Sequence, residues 1–234
     1  MNGIQEAVGS IPSGSTIKIF ETPQLRCFFV FAVWYNSNTM EVETPKKLNI
    51  KKVERGLSMN MNRKDPRVSV EMLERFMIDV LAGVGLPIED AKIVADVLIT
   101  ADKLGIDSHG IGRLKPIYYD RIKQGILNPI TKVEVVREGP TSAVIDGHHG
   151  MGHVISKKAM EIAISKAKEY GMGMVAVRNS SHYGIAGYYT LMASNAGMIG
   201  ITGTNARPSM APTFGVEPML GTNPLTFTMP SDEE

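Results

Sequence analysis

The chain has 234 residues, of which 43% are hydrophobic and 21% charged, and its net charge is +1. This composition is typical of a globular protein, and the near-zero charge gives no electrostatic basis for binding nucleic acid. The single cysteine, Cys27, excludes an internal disulfide bond and a cysteine-based metal site. A reducing cytoplasm is therefore the expected compartment.

The first 66 residues show no sustained helical period and differ from the rest of the chain. Residues 26–35 (RCFFVFAVWY) are densely apolar but too few to span a bilayer. We interpret them as a buried strand or a chance apolar run, and not as a membrane segment. Residues 46–55 (KKLNIKKVER) are strongly basic, which is typical of a solvated linker.

Two amphipathic helices are predicted next. Ser69 can cap a helix that extends to about Leu81, and Gly83 and Gly85 follow it. Its predicted apolar stripe consists of Met72, Leu73, Phe76 and Val80. A second helix begins near Pro87, and acidic residues in its first turn suit the positive helix N-terminus. Its predicted stripe consists of Ala91, Val94, Ala95, Leu98 and Ala101. The short loop between the two helices predicts an antiparallel pair.

The segment GIDSHGIGRL, residues 105–114, follows these helices and precedes a third helix predicted over 115–123. Pro116 suits the first turn of a helix and fits a helix interior poorly. We therefore predict that residues 107–114 form a separate turn.

Beyond residue 131 the pattern changes to strands that alternate with helices. Predicted strands cover 133–138, 142–146, 174–177, 198–204 and 224–229, and predicted helices cover 150–171 and 185–195. This alternation predicts an α/β or mixed α+β domain over 131–234, behind a helical module over 67–130.

A dinucleotide-binding fingerprint is incomplete at the start of the first long helix of this domain. Gly150 and Gly152 supply two glycines of G-x-G-x-x-G, but Ile155 occupies the third position. We interpret the motif as a tight glycine turn and not as a Rossmann site. His149 and His153 lie four residues apart without the glutamate of H-E-x-x-H, and we predict no metal site.

Two loops carry side chains suited to acid–base chemistry and anion binding. His182 lies in RNSSHYG (178–184), directly after a predicted strand, where α/β proteins bind ligands. In the 107–114 turn, His109 can take part in proton transfer and Arg113 can pair with a carboxylate. Each residue alone also suits a structural role, such as a helix-capping histidine or a surface arginine.

Three motifs, in this order, resemble the type-2 malate/L-lactate dehydrogenase family: ADKLGIDSHGIGRL, VRNSSHYGIAGYY and APTFGVEPMLGTNPL. The resemblance extends from about Val68 to the C-terminus. It implies a nicotinamide-dependent oxidoreductase with a fold distinct from the Rossmann fold. The implied reaction is hydride transfer between C2 of a 2-hydroxy acid and NAD or NADP, which yields a 2-keto acid. It further implies a small carboxylate substrate and a homodimer. From the charge and the short apolar stretch, we expect no nucleic acid or membrane partner.

The resemblance assigns roles residue by residue. His109 is similar to the histidine that donates a proton in some members, and His182 is similar to the catalytic base of others. Both histidines stay candidates. Arg113 resembles the residue that binds the substrate carboxylate, and Ser108 lies beside it in the implied substrate pocket. Thr204 and Asn205 lie where the family binds its cofactor, although TGTNARP lacks the catalytic aspartate that some members carry there.

Both ends of the chain depart from the family pattern. Residues 1–66 have no recognised counterpart, which fits an extension or a start upstream of a family-like Met59 or Met61. Family members continue past Glu234 with much of the cofactor site, so the chain resembles an N-terminal fragment. Alternative functions stay open: an inactive fragment, a dimerising non-enzymatic module, or a reductase of a cyclic imine or diketo sugar acid.

Overall fold

The computed structural model describes residues 29–35 and 68–231, which contain a six-stranded sheet. Its strands are β1 (Phe29–Tyr35), β2 (Glu134–Glu138), β3 (Ser142–Asp146), β4 (Met172–Arg178), β5 (Ile199–Thr204) and β6 (Leu225–Thr228). Their spatial order is β2-β3-β4-β1-β5-β6. The four central strands are parallel, and each edge strand pairs antiparallel with its neighbour. The sheet confirms the expected mixed α/β class, and β2 and β3 pair as an antiparallel hairpin.

Five α-helices accompany the sheet in the described part of the chain. They are α1 (Val70–Gly83), α2 (Ile88–Lys103), α3 (Asp120–Lys123), α4 (Gly152–Tyr170) and α5 (Ala186–Asn195). Two short 3-10 turns (Asp107–His109 and Ile111–Arg113) and a π-helical turn (Leu114–Tyr119) connect α2 to α3.

Helix α1 begins as predicted but buries a different face. The Ser69 hydroxyl accepts a hydrogen bond from the Met72 amide at 3.2 Å, which confirms the N-cap. The predicted stripe is wrong in part, because Met72 and Phe76 are 66% and 53% exposed. Met77 and Leu81 are fully buried instead. These two lie four residues apart on the face that packs against α2.

Helix α2 buries its whole predicted stripe. Ala91, Val94, Ala95, Leu98 and Ala101 are each fully buried. Most of this face packs against α1 and the π-helical turn, and the first hydrophobic core forms there. Asp102, which accepts a hydrogen bond from the turn that follows, lies near the C-terminal end of this helix.

The GIDSHGIGRL segment is a separate turn, but its boundary lies at Gly110 and not at Pro116. Helical backbone continues from Ile111 through Pro116 into α3. Proline has no amide hydrogen to donate, and here it lies in the wider π-helical turn, where the α-helical hydrogen-bond pattern is already interrupted.

Helices α4 and α5 cover one face of the sheet, where a second core forms. Gly173 of β4 passes so close to the Ala163 carbonyl of α4 that a Cβ atom would overlap it. A Cβ at Gly200 of β5 would lie 2.6 Å from the Thr190 carbonyl of α5. Because β4 and β5 are both parallel to β1, their carboxyl ends lie at the same edge of the sheet. There β4 leads into RNSSHYG and β5 leads into TGTNARP.

The apolar stretch over 26–35 contains strand β1, so its interpretation as a strand is confirmed for Phe29–Tyr35. The predicted basic linker over 46–55 lies outside the described residues. The division of the chain at residues 66 and 130 stays a prediction. No helix in the described ranges has both the length and the apolar character to cross a membrane.

Candidate active site

The turn after α2 brings Ser108, His109 and Arg113 together. The Ser108 hydroxyl lies 2.8 Å from Nδ1 of His109. The Arg113 Nε donates a hydrogen bond to the Ser108 carbonyl oxygen, which orients the guanidinium along the turn. The terminal nitrogens of Arg113 remain suited to a planar carboxylate.

Asp102 at the end of α2 fixes this turn. Its Oδ2 accepts a hydrogen bond from the Ile111 amide at 2.8 Å. A Cβ atom on Gly110 would overlap the same carboxylate, so the SHG glycine is required by close approach. Sequence reasoning missed Asp102, because nothing in its local pattern distinguishes it from an exposed helical acid.

The two glycines of the turn provide a matched pair of substitutions. Gly110→Ala should displace the Asp102 carboxylate and break its bond to Ile111, with a loss of about 1–3 kcal/mol in stability. Gly112→Ala should be tolerated, because its nearest neighbour, the Asp107 carbonyl oxygen, lies 3.8 Å away. Thermal unfolding of both variants checks this. Equal Tm values would show that Asp102 does not hold the turn.

The His182 loop is fastened to the N-terminus of α4. The Ser181 hydroxyl donates to the Gly150 carbonyl at 2.8 Å and accepts from the Gly152 amide at 2.9 Å. A Cβ atom on Gly152 would overlap the carbonyl oxygens of Ser181 and His182. The partial G-x-G-x-x-G motif at Gly150 and Gly152 is thus a tight glycine turn, as predicted, and its lack of side chains lets the His182 loop pack against it.

Tyr118 holds the His182 ring from the other side of the site. Its hydroxyl lies 2.7 Å from Nδ1 of His182, and the Gly184 amide donates to the same nitrogen at 3.3 Å. An amide can only donate, so Nδ1 accepts and neutral His182 carries its proton on Nε2. Helix α5 is capped by Ile185 without a side-chain bond, so His182 does not cap it.

No sequence motif indicates a functional role for Tyr118. It is buried in the π-helical turn and lies 64 positions before His182, and apolar packing explains its pattern equally well. π-Helical turns are frequent at functional sites because they re-aim one side chain. The contact with His182 is visible only once both segments are folded.

The two candidate histidines share one site. Their rings stack with centroids 5.7 Å apart and an interplanar angle of 21°. Burial, together with the charges of His109, Arg121 and Arg113, lowers the pKa of His182 to about 4. Burial and the Arg113 charge also lower the pKa of His109. Both rings are therefore neutral near pH 7.

The low pKa of His182 makes the fold sensitive to acid. In the unfolded chain this imidazole titrates near 6.5, and in the fold near 4. Between these values only the unfolded chain binds the proton, so stability falls as the pH drops from about 6.5 to about 4. As the pH drops through this window, the Tm of His182→Asn should therefore fall by less than the Tm of the wild type. The exposed His149 provides a matched His149→Asn control, and thermal unfolding of both variants across this pH window measures the two slopes.

Arg113 and Arg121 place positive charge beside the histidine pair, and Arg207 lies near Arg121. Arg113 and Arg121 both act on His182 and Tyr118. Burial and the nearby charge of Arg207 lower the pKa of Arg121. Within the described ranges none of the three forms an ion pair with a carboxylate. Unpaired guanidinium groups beside neutral histidines are suited to an anionic ligand.

Thr204 and Asn205 lie at the same sheet edge, after β5. The Thr204 amide donates to the Pro224 carbonyl at 3.2 Å, and its hydroxyl donates to the Asn205 carbonyl at 3.0 Å. Strand β1 lies between this loop and β4, which precedes the His182 loop. The structure thus brings Ser108, His109 and Arg113 together with His182, and places Thr204 and Asn205 to one side.

His149 and His153, considered above for a metal, do not meet. His149 is exposed, whereas His153 is fully buried with its ring edge-on to Tyr118 at 4.9 Å. Both ring nitrogens of His153 lack a hydrogen-bond partner in the described structure. No group of three potential ligands suited to a metal ion occurs over the residues described.

Comparison with known proteins identifies the family. Residues 68–234 match the family model for malate/L-lactate dehydrogenase. Malate dehydrogenase of Pyrococcus abyssi is 54% identical over 165 residues, which cover 70% of this chain and 45% of that protein. L-sulfolactate dehydrogenase of Methanocaldococcus jannaschii is 54% identical over 154 residues, 66% of this chain and 44% of that protein.

A solved structure agrees with this match. The crystal structure of malate dehydrogenase from Entamoeba histolytica is 55% identical, with a TM-score of 0.69 over 72% of this chain and 46% of that one. The chain spans about half the length of these relatives. On the match over residues 68–234, the chain belongs to the malate/L-lactate dehydrogenase family.

Proposed function

We propose that the chain carries the substrate-binding and proton-handling part of an NAD(P)-dependent dehydrogenase that interconverts a 2-hydroxy acid and a 2-keto acid. The observation that carries the proposal is the hydrogen bond between Tyr118 and Nδ1 of His182 at 2.7 Å, beside His109 and Arg113. Relatives named malate and sulfolactate dehydrogenase support a small carboxylate as the substrate. A cytoplasmic homodimer is the proposed form.

Arg113 and Ser108 would hold the substrate carboxylate. The Arg113 Nε is engaged by the Ser108 carbonyl, so its two terminal nitrogens present a fork to the ligand. The Ser108 hydroxyl, 2.8 Å from His109, can turn between the histidine and the carboxylate. This arrangement would place C2 of the substrate at the edge of the stacked histidine rings.

His182 would take the proton of the 2-hydroxyl group during oxidation and return it during reduction. To act as base, the neutral ring must first shift its proton from Nε2 to Nδ1, which gives up the bond from the Gly184 amide and lets Nδ1–H donate to the Tyr118 oxygen. Nε2 can then accept the hydroxyl proton, and the ring becomes an imidazolium. A tyrosine hydroxyl can donate or accept, so Tyr118 can support both forms. His109 would line the substrate pocket beside it as a neutral ring, or would itself donate the proton, as the resemblance to some family members implies.

The residues at the sheet edge fit a nicotinamide dinucleotide. Thr204 and Asn205 carry hydroxyl and amide groups, and Arg207 follows them without an ion-pair partner in the described ranges. These groups suit the polar carboxamide and the negative diphosphate of such a cofactor. When bound, the nicotinamide ring supplies the acceptor or donor of the hydride.

The direct test is oxidation of NADH or NADPH by the purified protein with oxaloacetate, sulfopyruvate or pyruvate. The proposal predicts a loss of absorbance at the reduced-nicotinamide band above that of a boiled control. It also predicts saturable binding of the preferred 2-keto acid by calorimetry. A protein that forms dimers but neither binds nor reduces any of these acids would instead be a non-enzymatic module.

A further inference from the structure

Strand β1 lies in the middle of the sheet although it precedes the part that matches the family. The match begins at residue 68, and β1 covers Phe29–Tyr35. Its register pairs Phe29 with Met172 and Tyr35 with Arg178 on one side. On its other side Phe29 pairs with Ile199. The strand is therefore paired along nearly its whole length on both sides.

Strands β4 and β5 each use β1 as the hydrogen-bonding partner on their facing sides. Strand β4 pairs with β3 and β1, and β5 pairs with β1 and β6. The two strands have no direct pairing within the described structure. Without β1, each would present a row of unpaired amide and carbonyl groups in the centre of the sheet. The slot between them therefore requires a parallel strand.

The same strand separates the two loops of the site. His182 follows the end of β4, and Thr204 ends β5 in register with Trp34 of β1. Neighbouring strands lie about 4.8 Å apart, so β1 holds the two strand ends about 10 Å apart. Direct pairing of β4 with β5 would halve this separation.

We propose that residues 29–35 are a positioning segment, contributed in cis from outside the family match, that fills this slot and sets the distance between the His182 and Thr204 loops. The effect on catalysis rests on the function proposed above, whereas the placement of the strand does not. The covalent link through residues 36–69 favours the same chain over a second copy, because it raises the effective concentration of the strand.

Disulfide trapping tests the placement without any need for activity. In a Cys27→Ser background, Val33→Cys with Ala176→Cys places two cysteines in register on adjacent strands. Val33→Cys with Met172→Cys is the mismatched control, since four residues along a strand separate the pair by about 13 Å. We expect an intramolecular bond in the first pair only, identified by mass spectrometry after digestion. No bond in the first pair, or one between two chains only, would overturn the proposal.

Proline substitution tests the effect on the site. Ala32→Pro removes a backbone donor in the centre of β1, and Ser37→Pro beyond the strand is the control. We expect faster hydrogen exchange in β4 and β5 and a KM for the nicotinamide cofactor raised at least about tenfold. The Kd for the 2-keto acid should stay within about twofold, because Ser108 and Arg113 are held by Asp102 of α2. Unchanged exchange, or equal loss of both affinities, would contradict a positioning role for the strand.

If the protein proves inactive, the trapped disulfide still stands or fails by itself. If the Val33→Cys/Ala176→Cys disulfide forms but no turnover is measured, only the proposed function is wrong. Failure of the present inference is an absence of that bond, whatever the turnover.

Discussion

Replacement of His182 by glutamine is expected to lower the rate of 2-hydroxy acid oxidation by about 10²- to 10⁴-fold, the usual contribution of a positioned acid–base group. Glutamine keeps polar atoms in the loop but cannot exchange a proton near neutral pH. Because the proposal assigns carboxylate binding to Arg113 and Ser108, kcat should fall while KM changes little. Steady-state kinetics of the full chain measure both constants.

Two comparisons sharpen this expectation. His149→Gln alters an exposed histidine outside the site and should leave kcat unchanged. Tyr118→Phe keeps the buried ring against His153 but removes the hydroxyl 2.7 Å from His182, so kcat should fall by a smaller factor than in His182→Gln. If His109→Gln abolished the rate and His182→Gln did not, the roles of the two histidines would be reversed.

Replacement of Arg113 by methionine is expected to weaken binding of the 2-keto acid by roughly 10- to 150-fold. A hydrogen bond to a charged group contributes about 1.5–3 kcal/mol, which corresponds to that range. Calorimetric titration of the acid into the variant measures the Kd directly. Arg137→Met on the exposed edge strand β2 is the matched control and should bind as the wild type does.

The same variant changes the histidine titrations in a defined direction. The positive charge of Arg113 disfavours a second positive charge on His109 and His182, so its removal should raise both pKa values. Histidine ring resonances in NMR spectra, followed between about pH 3 and pH 8, report this change. A fall in either pKa would show that Arg113 does not face the histidine pair.

The sequence predicts local structure well where one interaction dominates. The Ser69 cap and the buried stripe of α2 depend on neighbours three or four residues away, and both are confirmed. In α1, apolar residues occur on more than one face, and the packing partner selects Met77 over Phe76. Periodicity alone cannot make that selection, because it contains no information about which face α2 covers.

Long-range contacts explain what the sequence could not predict about the site. The motifs indicated Ser108, His109, Arg113 and His182, and the structure brings all four together. Tyr118 and the supporting Asp102 act through contacts that depend on tertiary packing, so their roles become visible only in the fold. Similarly, nothing in RCFFVFAVWY indicates that its strand lies between β4 and β5, because strand order is set by pairing across the whole chain.

Isotope transfer tests the central claim most directly. The protein is incubated with NADH or NADPH that carries deuterium at both C4 positions of the nicotinamide, together with oxaloacetate, sulfopyruvate or pyruvate. The product is analysed by mass spectrometry and NMR. Hydride transfer at this site predicts a 2-hydroxy acid that carries deuterium at C2, and its loss in His182→Gln. A product without deuterium at C2, or the same labelled product at an unchanged rate in His182→Gln, would contradict the account.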